Sequence, residues 1–348
     1  MNRRVFALAL VGTVLLGSFG WSFLRTGSGG PAMTANAALF IETLTEDQRK
    51  TALLEYGTPK RLEWHFIPKD QRKGLQVKEM NDSQRKAAHA LLQAALSDVG
   101  YDKAVKIMAL EKILRELEKE RKGALRDPER YYFTIFGRPA GSGRWGLSIE
   151  GHHLSLNFVV ENGRVISSTP TVFASNPATV MSEIAGGHPK GTRVLASEEQ
   201  LAFDLLLSLN ADQRKSAMIA ETAPKDIRAA GEAQPPQTPA EGISAAKLND
   251  AQKKALHALI DAYVNNMPED VAQARWSAIR EGGVDQVHFA WAGADKPGIG
   301  HYYRVQGPSF LIEFVNTQAD SAGNLANHIH LIWRDMQGDF AIPIRKAS

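Results

Sequence analysis

The sequence predicts an α+β protein built from two tandem copies of a helix-rich segment followed by antiparallel strands, related by an approximate twofold. Three observations predict this. A helix-opening phrase occurs twice, with Met80-Asn81-Asp82-Ser83-Gln84-Arg85-Lys86-Ala87-Ala88-His89 matching Leu248-Asn249-Asp250-Ala251-Gln252-Lys253-Lys254-Ala255-Leu256-His257. Strand-like phrases also return. Phe133-Thr134-Ile135-Phe136-Gly137 aligns with Phe289-Ala290-Trp291-Ala292-Gly293, and Glu150–Phe158 with Gln306–Phe314, at one offset of 156 residues. The helix phrases sit at an offset of 168, and the charged stretch Glu111 to Lys122 accommodates the extra 12 residues as added helix. The copies span 44–165 and 205–348, with 166–204 connecting them.

Taken in order, the chain begins with Arg3 and Arg4 before the apolar run Val5 to Leu16, which continues less purely to Leu24. This is the layout of a secretory signal, with an uncleaved membrane anchor over 1–24 as the alternative. Both place the body outside the cytoplasm, periplasmic or secreted. Residues 25–43 read as a linker, rich in Gly, Ser, Ala and Thr in their first part. Thr45 with Gln48 three residues on signals a helix N-terminus, and the phrase recurs near Asn210 and Gln213. Each copy carries its own insert: Trp64-His65-Phe66-Ile67-Pro68 in the first, and the Pro-rich Gln234–Pro239 in the second. Thr171–Ser175 reads as a short strand between proline turns, and Ser197 with Gln200 as the cap of the next helix. The helix Leu110 to Lys122 reads as a solvated, charge-paired face.

Candidate chemistry lies in two histidine clusters. Glu150-Gly151-His152-His153-Leu154-Ser155-Leu156-Asn157-Phe158 reads as one strand. Period-two alternation then puts Glu150, His152 and Leu154 on one face, and His153, Ser155 and Asn157 on the other. His152 defaults to a satisfied core histidine. The second cluster is Asn327-His328-Ile329-His330-Leu331-Ile332-Trp333-Arg334-Asp335. Histidines two apart on a strand point the same way, a frequent ligand geometry. His153, His328 and His330 are therefore the candidate ligands of a zinc or copper ion. Glu150 or Glu313 would act as base and Arg334 as anion clamp. His152, Asn157, Asn327 and Asp335 would support or line the site, with Asp335 orienting a histidine. The second copy keeps the strand but has Pro308 and Ser309 where the first has His152 and His153. Structural roles recur in duplicated scaffolds, whereas one site needs one set of ligands. The competing reading is a hydrogen-bonded polar cluster that fixes a strand.

These motifs, together with Arg144-Trp145-Gly146 and Tyr302-Tyr303-Arg304-Val305-Gln306-Gly307, resemble a widespread bacterial family known only as a domain of unknown function. The resemblance covers nearly the whole chain after the N-terminal segment. It implies no activity, cofactor or site residue.

Composition narrows the choice further. The 348 residues are 43% hydrophobic and 23% charged, with a formal net charge of +3 and no basic patch interleaved with aromatics, so nucleic acid is not an expected partner. A small-molecule ligand or substrate is. There is no cysteine, which excludes disulfides, thiolate nucleophiles and Cys-ligated metals. A Walker loop, H-E-x-x-H and G-x-S-x-G are absent from the sequence. The reading is an exported protein with a His-rich metal site, possible hydrolytic chemistry, and two alternatives: non-catalytic ligand or partner binding, and copper-based redox chemistry.

Overall fold

A computed structural model describes residues 29–121 and 126–344. The segment 1–24 lies outside the described residues. Among the described residues, no helix is long and apolar enough to cross a membrane.

Helix starts in both halves are set by side chains. The helices are α1 (Gly30–Thr43), α2 (Glu46–Ala52), α3 (Asp82–Ala95), α4 (Asp98–Leu117), α5 (Ala196–Ser208), α6 (Ala211–Ala217), α7 (Asp250–Val264) and α8 (Glu269–Gly282). Reciprocal caps open α2, α3, α6 and α7, pairing Thr45 with Gln48, Asn81 with Gln84, Asn210 with Gln213 and Asn249 with Gln252. The capping glutamines also join helices. Gln84 Nε2 donates to Gln48 Oε1 at 2.6 Å and to the Thr43 carbonyl at 2.9 Å. Gln252 Nε2 donates to Gln213 Oε1 and to the Ser208 carbonyl, both at 2.9 Å.

Two local expectations are corrected. Most of the expected linker 25–43 is α1, a core helix. Alanine favours helix, and Met33, Ala37 and Phe40, at i, i+4 and i+7, form a fully buried stripe. Small residues suggested flexibility where their spacing supplies a packing face. Ser197 is not a cap. Helix α5 begins at Ala196 without a side-chain cap, and tertiary contacts of Glu198 and Glu199 in its first turn hold it.

The strands are β1 (Leu53–Leu54), β2 (Leu75–Gln76), β3 (Tyr132–Phe136), β4 (Arg144–Gly151), β5 (Leu154–Glu161), β6 (Arg164–Ser167), β7 (Thr171–Ser175), β8 (Met218–Ala220), β9 (Ile243–Ser244), β10 (His288–Gly293), β11 (His301–Gln306), β12 (Phe310–Asn316) and β13 (Ile329–Asp335). They form one mixed sheet in the order β1-β3-β4-β5-β7-β13-β12-β11-β10-β8, with β2 on β3, β6 on β5 and β9 on β10. Pairs β1–β3 and β8–β10 are parallel, and the others antiparallel. At the centre β7 pairs with β13, so chain segments far apart in sequence are neighbours there.

Alternation assigns the two faces of the sheet. Leu154, Leu156, Phe158, Phe173, Phe314, Leu331 and Trp333 join the helices in the main core. Val172, Val315, Ile332 and Tyr302 point the other way, where Trp64 and Phe66 of the first insert cover them together with Ile227. This second face carries the histidines.

The stretch Glu150–Phe158 is not one strand. Strand β4 ends at Gly151, His152 and His153 form the turn, and β5 begins at Leu154. The register pairs Glu150 with Ser155 and Ser148 with Asn157, so Glu150 shares the polar face rather than that of Leu154. Gly151 permits the turn to sit tightly, since a Cβ there would come within 2.2 Å of the Tyr131 ring. Strand-like composition on both sides of a two-residue turn hides the reversal, because neither histidine is a turn former.

Candidate metal centre

His153 occupies the left-handed region, with φ 66°. Histidine enters this region more readily than β-branched residues do. Its backbone is pinned from two sides. His153 N–H donates to the Phe66 carbonyl at 2.8 Å, and Ala174 N–H, from β7, donates to the His153 carbonyl at 2.9 Å. The first insert therefore fixes the turn that presents the imidazole. His330 lies opposite Ala174 in the β7–β13 register, and His328 precedes β13 on the same face. Thus the first half supplies one histidine and the far end of the chain supplies two.

The three rings meet. His328 Nε2 lies 2.9 Å from His153 Nε2 and 2.9 Å from His330 Nε2, and the candidate ligand atoms of the trio all lie within 4.8 Å of one another. His153 and His330 are buried, and His328 is partly buried. A neutral imidazole nitrogen carries either one hydrogen or one lone pair. His328 Nε2 therefore cannot satisfy both neighbours with well-aligned hydrogen bonds. Three lone pairs directed at one shared cation remove that conflict.

The surrounding groups favour the lone-pair arrangement. His330 Nδ1 is 2.8 Å from Asp226 Oδ1, so an Nδ1–H donated to the carboxylate leaves the Nε2 lone pair facing the cluster. The Asp226 carboxyl is held below its ordinary range. Burial opposes ionisation, but the hydrogen bonds from His330 and from the Ile227 backbone N–H outweigh it. His328 Nδ1 is 3.3 Å from Asn176 Nδ2, while the buried Asn176 Oδ1 has no partner. Turning that amide by half a revolution would let Oδ1 accept the Nδ1–H of His328 and free its Nε2. Burial first, and then His330, push the His328 imidazole down to about 3. Burial first, and then His152, hold His153 well below the usual histidine value. Both rings are neutral near neutrality, the state a metal requires.

His152 is the neighbouring layer. Its ring centroid lies 3.6 Å from that of His153, and its Nδ1 is 2.5 Å from Glu111 Oε1 on α4. Burial pushes Glu111 up to about 8 and holds His152 well below its ordinary value, so the pair is a neutral acid beside a neutral imidazole. Arg126 Nη1 approaches the same ring at 3.0 Å and is itself held by Glu118. The expected solvated face from Leu110 onward is thus interrupted at Glu111, which lies four residues after Ile107 on the apolar stripe.

The remaining expected site residues are placed differently. Glu150 is buried against Lys73, with Oε1 to Nζ 2.8 Å. Glu313 Oε1 accepts from Tyr302 Oη at 2.6 Å and from Arg228 Nε at 2.7 Å. Neither carboxylate belongs to the converging group of ligand atoms. Arg334 is fully buried, ion-paired with Asp339, and donates to the Ala229 and Glu232 carbonyls, so it presents no free fork to an anion. Asp335 accepts from Gln337 N–H, and the histidine-orienting carboxylate is Asp226 instead. Asn157 bridges Ser155 and the Pro170 carbonyl, and Asn327 bridges Thr179 and Asp320, so both fix backbone around the site. Asp226 and Asn176 carry no periodic signal in sequence, because both sit in irregular segments whose position depends on tertiary packing.

Fold and site together define an α+β protein with a largely buried three-histidine cluster on one face of a continuous sheet. The chain belongs to the family described as "Protein of unknown function (DUF3500)", whose model matches residues 26–342. No curated protein and no solved structure gives a match to the chain.

Proposed function

We propose that this protein is an exported metal-binding protein whose His153, His328 and His330 hold one zinc or copper ion. The observation that carries this reading is the convergence of three Nε2 atoms on one point, with His328 Nε2 2.9 Å from each neighbour. Asp226 holds His330 in the tautomer that presents Nε2. Three imidazoles suit zinc or copper and leave a coordination position for a small ligand. Zinc there would supply Lewis-acid polarisation, and copper one-electron redox capacity. The residues of the chain do the positioning: Phe66 fixes the His153 turn, and His152 packs against the ring of His153. Hydrolytic use of the site would need a base other than Glu150 or Glu313, both of which are committed to internal partners. Metal binding without hydrolysis is therefore the leading form of the proposal.

Two further parts of the reading belong here. An approximate internal twofold accounts for the mirrored strand order about β7 and β13, and for the matching glutamine bridges between helices. Export accounts for Arg3 and Arg4 followed by the apolar run from Val5. Titrating metal-stripped protein with zinc and with copper tests the central point. The melting temperature should rise with a one-to-one endpoint for one of these metals, and His330→Ala should abolish the rise. No shift with either metal would leave a polar structural cluster as the better account.

A further inference from the structure

On the opposite face of the sheet, near the β6–β7 turn and α8, lies a cavity of about 170 Å³. Its walls include Ser168, Arg275, Ser309, Phe310, Trp333 and Asp335. Arg275, on α8, is 8% exposed. Among the described residues it has no ion-pair partner. Its Nη2 donates to Ser168 Oγ at 2.9 Å and to the Ser168 carbonyl at 3.2 Å, and its Nε has no partner. Its guanidinium lies over the Trp333 ring at 4.4 Å. Burial lowers Arg275 to about 9, despite Asp335 favouring the charged form. Removing a guanidinium from water without a carboxylate partner is costly, and a cation–π contact returns only part of that cost. Ser309 Oγ in the same wall is buried and also unpartnered. Asp335 faces the cavity with its carboxyl pushed up to about 6, chiefly by burial. The wall thus holds one uncompensated cation, one desolvated carboxyl and a spare hydroxyl beside an indole and a phenyl ring.

We propose that this cavity binds a small α-amino acid with an apolar side chain, its carboxylate on Arg275, its ammonium on Asp335 and its side chain along Trp333 and Phe310. A purely anionic ligand would face Asp335, and a purely cationic one would face Arg275. A zwitterion satisfies both groups at once. The small cavity excludes long peptides and leaves room for one such molecule. The site is separate from the histidine cluster, since Trp333 points to the helix face and His330 to the insert face.

Calorimetric titration of the full chain with L-valine, L-leucine and L-phenylalanine tests this. 4-Methylpentanoate and 3-methylbutylamine, each lacking one charged group of leucine, serve as half-probes. At least one amino acid should bind with a dissociation constant in the millimolar range or tighter, and each half-probe at least about tenfold more weakly than leucine. Arg275→Met should weaken binding at least about 30-fold while the ligand-free protein melts no lower, because the substitution removes an uncompensated buried charge. If Arg275→Met fails to fold, Asp335→Asn provides the second arm, with leucine weakened and 4-methylpentanoate unaffected or improved. Absence of binding by all three amino acids to the folded wild-type chain would overturn the proposal. Equal binding of leucine and 3-methylbutylamine would overturn it as well.

Discussion

At the residue scale the account rests on which nitrogen atoms carry protons. In the proposed metal-bound state Asp226 accepts the Nδ1–H of His330 and so leaves Nε2 free for the ion. Asp226→Asn should therefore lower metal affinity about 10- to 100-fold while leaving the fold intact, measured by competition with a chelator of known strength. Among the proposed ligands His153 offers the cleanest deletion. Its φ of 66° is acceptable to glycine, so His153→Gly should remove a ligand without backbone strain, whereas His153→Val should also lower the melting temperature. The acid response follows from neutrality. The unfolded chain protonates a histidine as the pH falls through about 6.5, but metal-free folded His328 resists until about 3. The unfolded state then binds more protons across that window, so metal-free stability should fall as the pH drops. Glu111 acts in the opposite direction. Its folded-state value of about 8 lies above the ordinary 4.5, so its contribution is present below 4.5 and is lost as the pH rises toward 8. Glu111→Gln should flatten the decline in melting temperature between pH 4.5 and about 8 and leave the slope below 4.5 unchanged. An unchanged slope across that window would show that Glu111 is ionised in the fold.

At the element scale, capping chemistry was the most legible feature of the sequence. Thr45, Asn81, Asn210 and Asn249 all cap the helices their spacing announces, because a cap is a local device. Helix α1 is hidden from a reading by composition because its residues are small, although the spacing of Met33, Ala37 and Phe40 carries its packing face. Phe40→Ala should cost about 3–5 kcal/mol in a denaturant titration, the range for emptying a buried aromatic site, whereas a linker would lose almost nothing. The turn at His152 and His153 was missed for another reason. Register and reversal are set by pairing across β4 and β5, and Gly151 ends β4 rather than occupying the turn itself. The convergence of His153 with His328 and His330 was anticipated from face alternation, yet the structure delivers it through a turn pinned by Phe66.

At the scale of the whole molecule, one sheet runs through both halves and joins them at β7 and β13. Nothing in the sequence marks that seam, since strand neighbours distant in the chain leave no local pattern. The site sits beside it: β7 anchors the His153 carbonyl and β13 carries His330. Calorimetry of the metal-free protein should give one cooperative transition, because neither half can leave without opening a central strand pair. Two separated transitions would mean that the halves are independent and the site a loose contact between them. The same seam explains why metal should stabilise the whole chain, as an ion held by both halves ties them together. The most direct test is elemental analysis of the purified chain alongside His328→Ala and His330→Ala. The account predicts close to one zinc or copper ion per wild-type chain after loading and desalting, and almost none in either variant. A wild-type chain that retains no metal, or variants that retain as much as it does, would contradict it.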